Sequence, residues 1–176
     1  MRHSRPRRPG RPRRAANPFS HRRRTGAVVD EPLDAILIQV TIPLPIPMIY
    51  AAWTDGARLA GWLCRSAEVG GATGEPYALT FQEPEPFESR GTIVRRTPDV
   101  DIGFTWIPPA RFVGLMDGST RVYVRLQESP EGIDVTLEHD GWGAGDAWEE
   151  ARSWHFHFWD ERLGHLKEQL IREAYG

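Results

Sequence analysis

The stretch "SWHFHFWDERLGHLKEQL", residues 153–170, begins with aromatic and histidine residues and ends as an ordinary amphipathic helix. With about 100° between successive residues, it extends an apolar stripe that starts one turn earlier, made of Trp148, His155, Trp159, Leu163, Leu166 and Leu170. His157 points to the opposite side, so His155 and His157 cannot share a metal ion from a regular helix, where ligands need the spacing i, i+4. The stretch therefore predicts a long helix with one buried face. Its start is predicted at "DAWE" (146–149), where Asp146 as N-cap and Glu149 three residues on resemble a capping box. Whether the front half of that face packs against a sheet or lines a cavity stays open at this point.

The segments upstream predict strands, because apolar and polar residues alternate with a period of two. The clearest of them are "ILIQVTI" (36–42), "YALTF" (77–81), "VDIGFTW" (100–106), "TRVYVRL" (120–126) and "IDVTLEH" (133–139), with 91–96 as a further partner. Since the later strands follow one another without intervening helices, we expect a largely antiparallel sheet with one buried face. After the first strand, Pro47 at a first turn and Asp55 as a cap predict two short helices.

Four segments in this order resemble one known family. They are "IPMIYAAWTDGARLAGWL", "GTIVRRTPDVDIGFTW", "STRVYVRLQESPEGIDVTLEHDGW" and "FWDERLGHLKEQL". Together they are similar to the START-like (SRPBCC) superfamily, in the branch of the activator of heat shock protein 90 ATPase, over roughly residues 36–172. The resemblance implies an α+β helix-grip fold, in which a curved antiparallel sheet of about six strands wraps a long C-terminal helix, with two short helices after strand 1.

The charge of the chain is divided between two unequal parts. Ten arginines and no acidic residue precede Asp30, whereas residues 30–176 hold 12 basic and 24 acidic residues, a net charge of 12 − 24 = −12. We expect residues 1–30 to be a disordered Arg/Pro-rich tail, or else the product of a start codon placed too early, with Val28 or Val29 as the true start. Residues 31–176 are expected to form one START-like domain, whose acidic surface would not bind nucleic acid.

The remaining composition indicates a cytoplasmic protein that does not insert into a membrane. No run of about 18 apolar residues is present. Cys64 is the single cysteine, which excludes an internal disulfide bond and fits a reducing compartment. We expect no metal site and no cofactor, and we find no motif of a catalytic nucleophile.

The resemblance also implies a cavity between the sheet and the C-terminal helix. An empty apolar cavity of about 300 Å³ would cost on the order of 7 kcal/mol, so a large space there should hold a ligand or be closed by side chains. The polar residues on the inward faces are candidate anchors for a ligand: His139, Arg152 and His155. The full set of candidate ligand contacts is Trp53, Trp62, Leu79, Phe81, Phe104, Trp106, Val122, Val124, His139, Trp142, Trp148, Arg152, His155 and Trp159.

Three functions fit this pattern. The first is non-enzymatic binding of a small hydrophobic or amphipathic molecule in the cavity. The second is an acid-base enzyme of cyclase or dehydratase type, with His139 or His155 as proton shuttle. The third is a protein-interaction or chaperone-activating domain with a closed core, and an exposed edge strand could in addition support a homodimer.

Overall fold

The computed structural model describes residues 35–118 and 120–176, so the expected tail 1–30 lies outside the described residues. The elements in chain order are β1 (Ile36–Ile42), α1 (Ile46–Thr54), α2 (Gly56–Trp62), β2 (Ser66–Val69), β3 (Pro76–Phe81), β4 (Phe87–Thr97), β5 (Asp101–Thr105), α3 (Ala110–Met116), β6 (Arg121–Ser129), β7 (Gly132–Asp140) and α4 (Asp146–Tyr175). The predicted helix-grip arrangement is confirmed. Two elements in it were not predicted, namely β2, which brings the strands to seven, and α3.

The seven strands form one open antiparallel sheet with the order β1-β7-β6-β5-β4-β3-β2. The first and last predicted strands are neighbours, because β1 pairs with β7 from Ile36 opposite His139 to Ile42 opposite Ile133. The register of β4 against β5 shifts between Ile93 and Arg95. Such a bulge bends a strand and increases its twist, which helps the sheet curve around α4.

Alternation along the strands puts one apolar face toward α4. On β7 the residues Ile133, Val135, Leu137 and His139 are buried, and the residues between them are half-buried. This face and the buried side of α4 form a single core that also contains residues of α1, α2 and α3. His139 is therefore the polar member of an otherwise apolar row, as the period-two pattern predicted.

The buried face of α4 consists of Ala151, His155, Phe158, Trp159, Leu163, Leu166 and Leu170. The prediction that Asp146 caps this helix, with Glu149 completing a capping box, is wrong. Gly145 is the cap, at φ 105°, and no side chain supplies a capping hydrogen bond. A left-handed φ is inexpensive for glycine, and Asp146 and Glu149 lie in the first turn, where carboxylates interact favourably with the helix dipole.

The two short helices after β1 match their sequence signals. Pro47 lies in the first turn of α1, where its missing N–H leaves no hydrogen bond unmade. Asp55 caps α2, since its carboxylate accepts a hydrogen bond of 3.1 Å from the backbone N–H of Arg58. The second of these helices packs against β2, the short strand at one edge of the sheet, and α1 contacts β5.

Candidate functional site

Five aromatic and histidine side chains meet between the sheet and the front half of α4. We call them the indole–imidazole cluster: Trp106, His139, Trp142, His155 and Trp159. Trp106 follows β5, His139 lies on β7, and Trp142 is in the connector before α4, which contributes the other two. All five were candidate site residues, and each is buried, with an exposed fraction of 5% for Trp142 and 0% for the others.

Hydrogen bonds fix the orientation of both imidazoles. The Trp159 Nε1–H donates to His139 Nδ1 at 3.1 Å, and the Trp106 Nε1–H donates to His155 Nε2 at 3.0 Å. His155 Nδ1 in turn lies 2.6 Å from the carbonyl oxygen of Ala151 and donates to it. Since an indole N–H can only donate, the proton of neutral His139 must be on Nε2 and that of His155 on Nδ1.

Both histidines are neutral at physiological pH. Burial lowers the pKa of His139 well below its ordinary value of 6.5, and the nearby His155 lowers it further. Burial also lowers the pKa of His155 to about 4; the hydrogen bond to Ala151 opposes this change and the charge of Arg111 adds to it. The cluster therefore offers hydrogen-bond donors and acceptors without a net charge.

Two polar groups in this region lack a partner. Among the described residues, neither His139 Nε2 nor the hydroxyl of Thr120 makes a hydrogen bond, and both side chains are 0% exposed. Val122 pairs directly with His139, so Thr120, two residues earlier, lies on the same inward side of the sheet. A buried polar group without a partner costs about 1–3 kcal/mol, which makes both groups candidates for contact with a ligand.

The aromatic side chains predicted to line a cavity pack against one another. Trp106 lies beneath Trp159, with ring centroids 5.0 Å apart, and its ring is 5.9 Å from that of Phe81. Phe104 stacks on Tyr77 at 3.9 Å. Leu79, Val122 and Val124 are buried in the same core. In this structure the space beneath Trp159 is thus occupied by side chains.

Nine predicted site residues lie outside the cluster: the five core residues Leu79, Phe81, Phe104, Val122 and Val124, and four others. Trp53 and Trp62 form an edge-to-face pair on α1 and α2, 4.7 Å apart, and the Trp62 indole donates to the carbonyl oxygen of Ala52. Trp148 is half-buried at the start of α4, with its ring 6.3 Å from Trp142. Arg152 is half-buried one turn before His155.

Three residues that shape the site were not predicted. Phe158 lies three residues after His155 on the same helical face, so the i, i+3 rule could have found it. Phe112, with its ring 5.7 Å from His155, lies on α3, which has only seven residues and gives no strong period. Thr120 was placed on an inward face, but nothing in the sequence indicates that its hydroxyl lacks a partner.

Two further observations concern the helices of the described residues. No helix within 35–118 and 120–176 is both long and apolar enough to cross a membrane. On α4, His155 is buried while His157 is exposed, in agreement with their opposite directions on the helical wheel.

The sequence was compared with models of protein families and with curated proteins, and one family model matches it. The family model described as "Activator of Hsp90 ATPase homolog 1-like protein" matches residues 43–170. No curated protein sequence matches the chain significantly.

Solved structures share the fold at low sequence identity. A protein from Mesorhizobium loti is similar over 80% of this chain and 98% of its own, with a TM-score of 0.65 and 16% identity. An AHSA1-like protein from Aeromonas hydrophila has a TM-score of 0.58 and 18% identity, over 80% of this chain and 94% of its own. The Aha1 dimer from Colwellia psychrerythraea has a TM-score of 0.61 and 16% identity, over 78% of this chain and 96% of its own.

Proposed function

Because this chain belongs to the family of Activator of Hsp90 ATPase homolog 1-like proteins, whose START-like fold is in general one of ligand-binding domains, we propose that it binds a small hydrophobic or amphipathic molecule. The ligand would lie between the sheet and the front half of α4, with the N–H at His139 Nε2 as its polar contact. The observation that carries this proposal is that the N–H at His139 Nε2 is fully buried and has no hydrogen-bond partner among the described residues.

The chemistry of the cluster selects the kind of ligand. His139 and His155 are both uncharged, and an isolated buried charge is strongly disfavoured in an apolar interior. A neutral acceptor, such as a carbonyl, ether or hydroxyl oxygen on an apolar body, would accept from His139 Nε2. The hydroxyl of Thr120 could serve a second polar atom of the same ligand.

Ligand entry requires aromatic rings to move. The connector 141–145 is the best candidate gate, because it precedes α4 and is held by two contacts. The indole Nε1–H of Trp142 donates to the carbonyl oxygen of His139 at 2.7 Å. Gly143 lies so close to the Trp148 indole that a Cβ atom at position 143 would fall 2.3 Å from it. Release of Trp142 would free the connector and uncover His139.

A second function is favoured by the close packing of the same rings. If they do not open, the domain acts through its outer surface, as a protein-interaction domain of the kind the family description suggests. The acid-base enzyme has less support from the geometry, since both nitrogens of His155 and Nδ1 of His139 are already held by hydrogen bonds.

Native mass spectrometry of protein purified without detergent tests the proposal. We expect a co-purifying apolar compound on the wild type and its loss from His139→Leu, which removes the N–H at similar volume. Phe156→Ala, at a position exposed by 42%, is the matched control and should retain the compound. An apo mass together with no uptake of environment-sensitive dyes would favour the interaction domain, which a titration into Hsp90 with an ATPase readout would then examine.

We also propose that the chain forms a homodimer through the outer edge of the sheet at β1. The Colwellia protein of the same fold is a dimer, and Leu37 on β1 is 64% exposed. Light scattering should give twice the mass of one chain. Leu37→Lys should reduce it to one, since a charge on an edge strand opposes pairing with another strand.

A further inference from the structure

A concave site outside the indole–imidazole cluster is lined by residues of a different part of α4, and we call it the arginine groove. It has a volume of about 410 Å³ and runs between the end of α2, the end of β3 and the middle of α4. That volume is within the range of small-molecule sites, about 300–1,000 Å³. Its apolar part comes from Trp62, Leu63 and Phe81, and its charged part includes Arg65 and Arg162.

The two arginines are held in place by neutral groups. Arg162 donates from Nη2 to the carbonyl oxygen of Glu83 at 2.8 Å, and its guanidinium lies 5.3 Å from the centre of the Phe158 ring. Arg65 donates from Nη1 to the side-chain oxygen of Gln82 at 2.6 Å. These contacts orient the guanidinium groups but do not neutralise them.

Neither guanidinium group forms a direct ion pair with a carboxylate of the described residues. Arg58, Arg90, Arg95 and Arg111 each lie within 4.0 Å of a carboxylate, whereas within the described ranges neither Arg65 nor Arg162 forms such an ion pair. In addition, Arg162 Nε is a buried donor without a partner in the described part of the chain. Other arginines, among them Arg96, Arg121 and Arg125, also lack an ion pair within the described ranges. Arg65 and Arg162 differ from those three in that both line one concave groove.

We propose that the arginine groove binds a small organic carboxylate, with the carboxylate between Arg65 and Arg162 and a short apolar portion against the accessible edges of Trp62 and Phe81, which are 5% and 2% exposed. Guanidinium groups bind carboxylates through paired hydrogen bonds, and oriented ones lose little freedom on binding. Glu83 and Glu168 also line the groove. They disfavour a doubly charged phosphate relative to a singly charged carboxylate. This site is separate from the indole–imidazole cluster and does not depend on ligand binding there.

The groove contains its own reporter in Cys64, the single cysteine of the chain. Burial raises the pKa of the Cys64 thiol to about 11, and the charge of Arg162 acts in the opposite direction. A carboxylate bound at Arg162 would offset that charge and cover the sulfur. Both effects slow alkylation, because the thiolate is the reactive form.

The test measures the rate at which iodoacetamide alkylates Cys64 in the full chain. We expect saturating hexanoate to slow the reaction roughly tenfold, and hexanol, which has the same chain length without the charge, to have little effect. Arg65→Gln and the double variant R65Q/R162Q should abolish protection by hexanoate, while Arg90→Gln, in an exposed ion pair on β4, should retain it.

Several results would overturn the proposal. Equal protection by hexanol and hexanoate would mean that the groove selects apolar chains and not carboxylates. Protection by hexyl phosphate or inorganic phosphate but not by hexanoate would mean that the anion class is wrong. Retained protection in a folded R65Q/R162Q protein would remove the arginines from the site, and circular dichroism of each variant shows that it is folded.

Discussion

The two halves of the buried face of α4 differ in chemistry although they belong to one helix. The back half consists of Leu163, Leu166 and Leu170, which have no polar side-chain atom to satisfy. The front half carries His155 and Trp159, whose ring nitrogens are joined to the sheet and to the helix backbone by directed hydrogen bonds. The back half thus stabilises the fold through buried volume and apolar area alone. The front half in addition fixes the orientation of its rings through hydrogen bonds. Beside it lie two buried polar groups, His139 Nε2 and the Thr120 hydroxyl, that have no partner among the described residues.

The largest effect should come from removing Trp106, the ring after β5 that packs against the front half. Trp106→Ala is expected to lower the free energy of unfolding by about 3–5 kcal/mol, because it leaves a cavity and frees His155 Nε2. Urea denaturation measures this loss. Leu166→Ala should cost about 2–5 kcal/mol through the cavity alone, and Phe156→Ala, at an exposed position, should stay within about 0.5 kcal/mol of the wild type. A Trp106→Ala cost as small as that of Phe156→Ala would show that the front half is not packed.

A fall in pH should lower the free energy of unfolding through the buried histidines at the front half of α4. The leucines of the back half do not titrate and should contribute equally at every pH. The pKa of His155 falls from 6.5 in the unfolded chain to about 4 in the fold, so the unfolded state binds more protons in this window. This stabilising contribution is present in full above pH 6.5 and is lost as the pH falls toward 4, by about 3 kcal/mol. The lowered pKa of His139 acts with the same sign.

The free energy of unfolding, measured between pH 7 and pH 4, tests whether stability falls with pH as expected. His155→Gln should flatten the pH dependence, since glutamine keeps an acceptor for Trp106 but does not titrate. Leu166→Ala should retain the wild-type slope, because it removes no titratable group. An unchanged slope in His155→Gln would mean that His155 is already accessible to water in the folded state.

The hydrogen bond between His139 and Trp159 should appear as a coupling free energy. His139→Leu orphans the indole N–H, and Trp159→Phe orphans the lone pair on His139 Nδ1, at about 1–3 kcal/mol each. The double variant should lose about 0.5–2 kcal/mol less than the sum of the two single losses. In it both the indole N–H and the imidazole are gone, so no orphaned polar group remains. Additive costs within about 0.3 kcal/mol would argue against the bond.

The smallest effect should be a gain in stability. Thr120→Val removes a buried hydroxyl that has no partner within residues 35–118 and 120–176, and we expect it to raise the free energy of unfolding by about 1 kcal/mol. Thr105→Val is the matched control, because the hydroxyl of Thr105 accepts a hydrogen bond of 2.8 Å from the backbone N–H of Thr92. That variant should lose about 1 kcal/mol. Thermal unfolding that shifts both variants in the same direction would contradict the assignment.

Most of the fold could be predicted from the sequence, because its signals are local and repeated. Period-two alternation located β1 to the residue, and Asp55 and Pro47 marked the short helices through their usual chemistry. The four-residue β2 and the seven-residue α3 are too short to establish a period, and their placement depends on partners distant in sequence. The cap of α4 was misassigned because Asp146 and Gly145 both suit a helix start, and only the backbone geometry separates them.

The site was predictable in part for similar reasons. Alternation and the helical wheel brought His139, His155 and Trp159 to inward faces. Their hydrogen bonds depend on ring orientation, which a pattern does not contain. The neutral anchoring of Arg65 and Arg162 depends on contacts to Gln82 and Glu83 that no local spacing encodes.

The indole hydrogen bonds of Trp106 and Trp159 have a consequence for kinetics. Those two protons are shielded from water on every side, so their exchange with deuterium requires the sheet and the helix to separate locally. The two exchange rates, resolved by nuclear magnetic resonance, would measure how often the interior opens. Comparison with the slowest backbone amides would tell whether it opens while the rest of the domain stays folded.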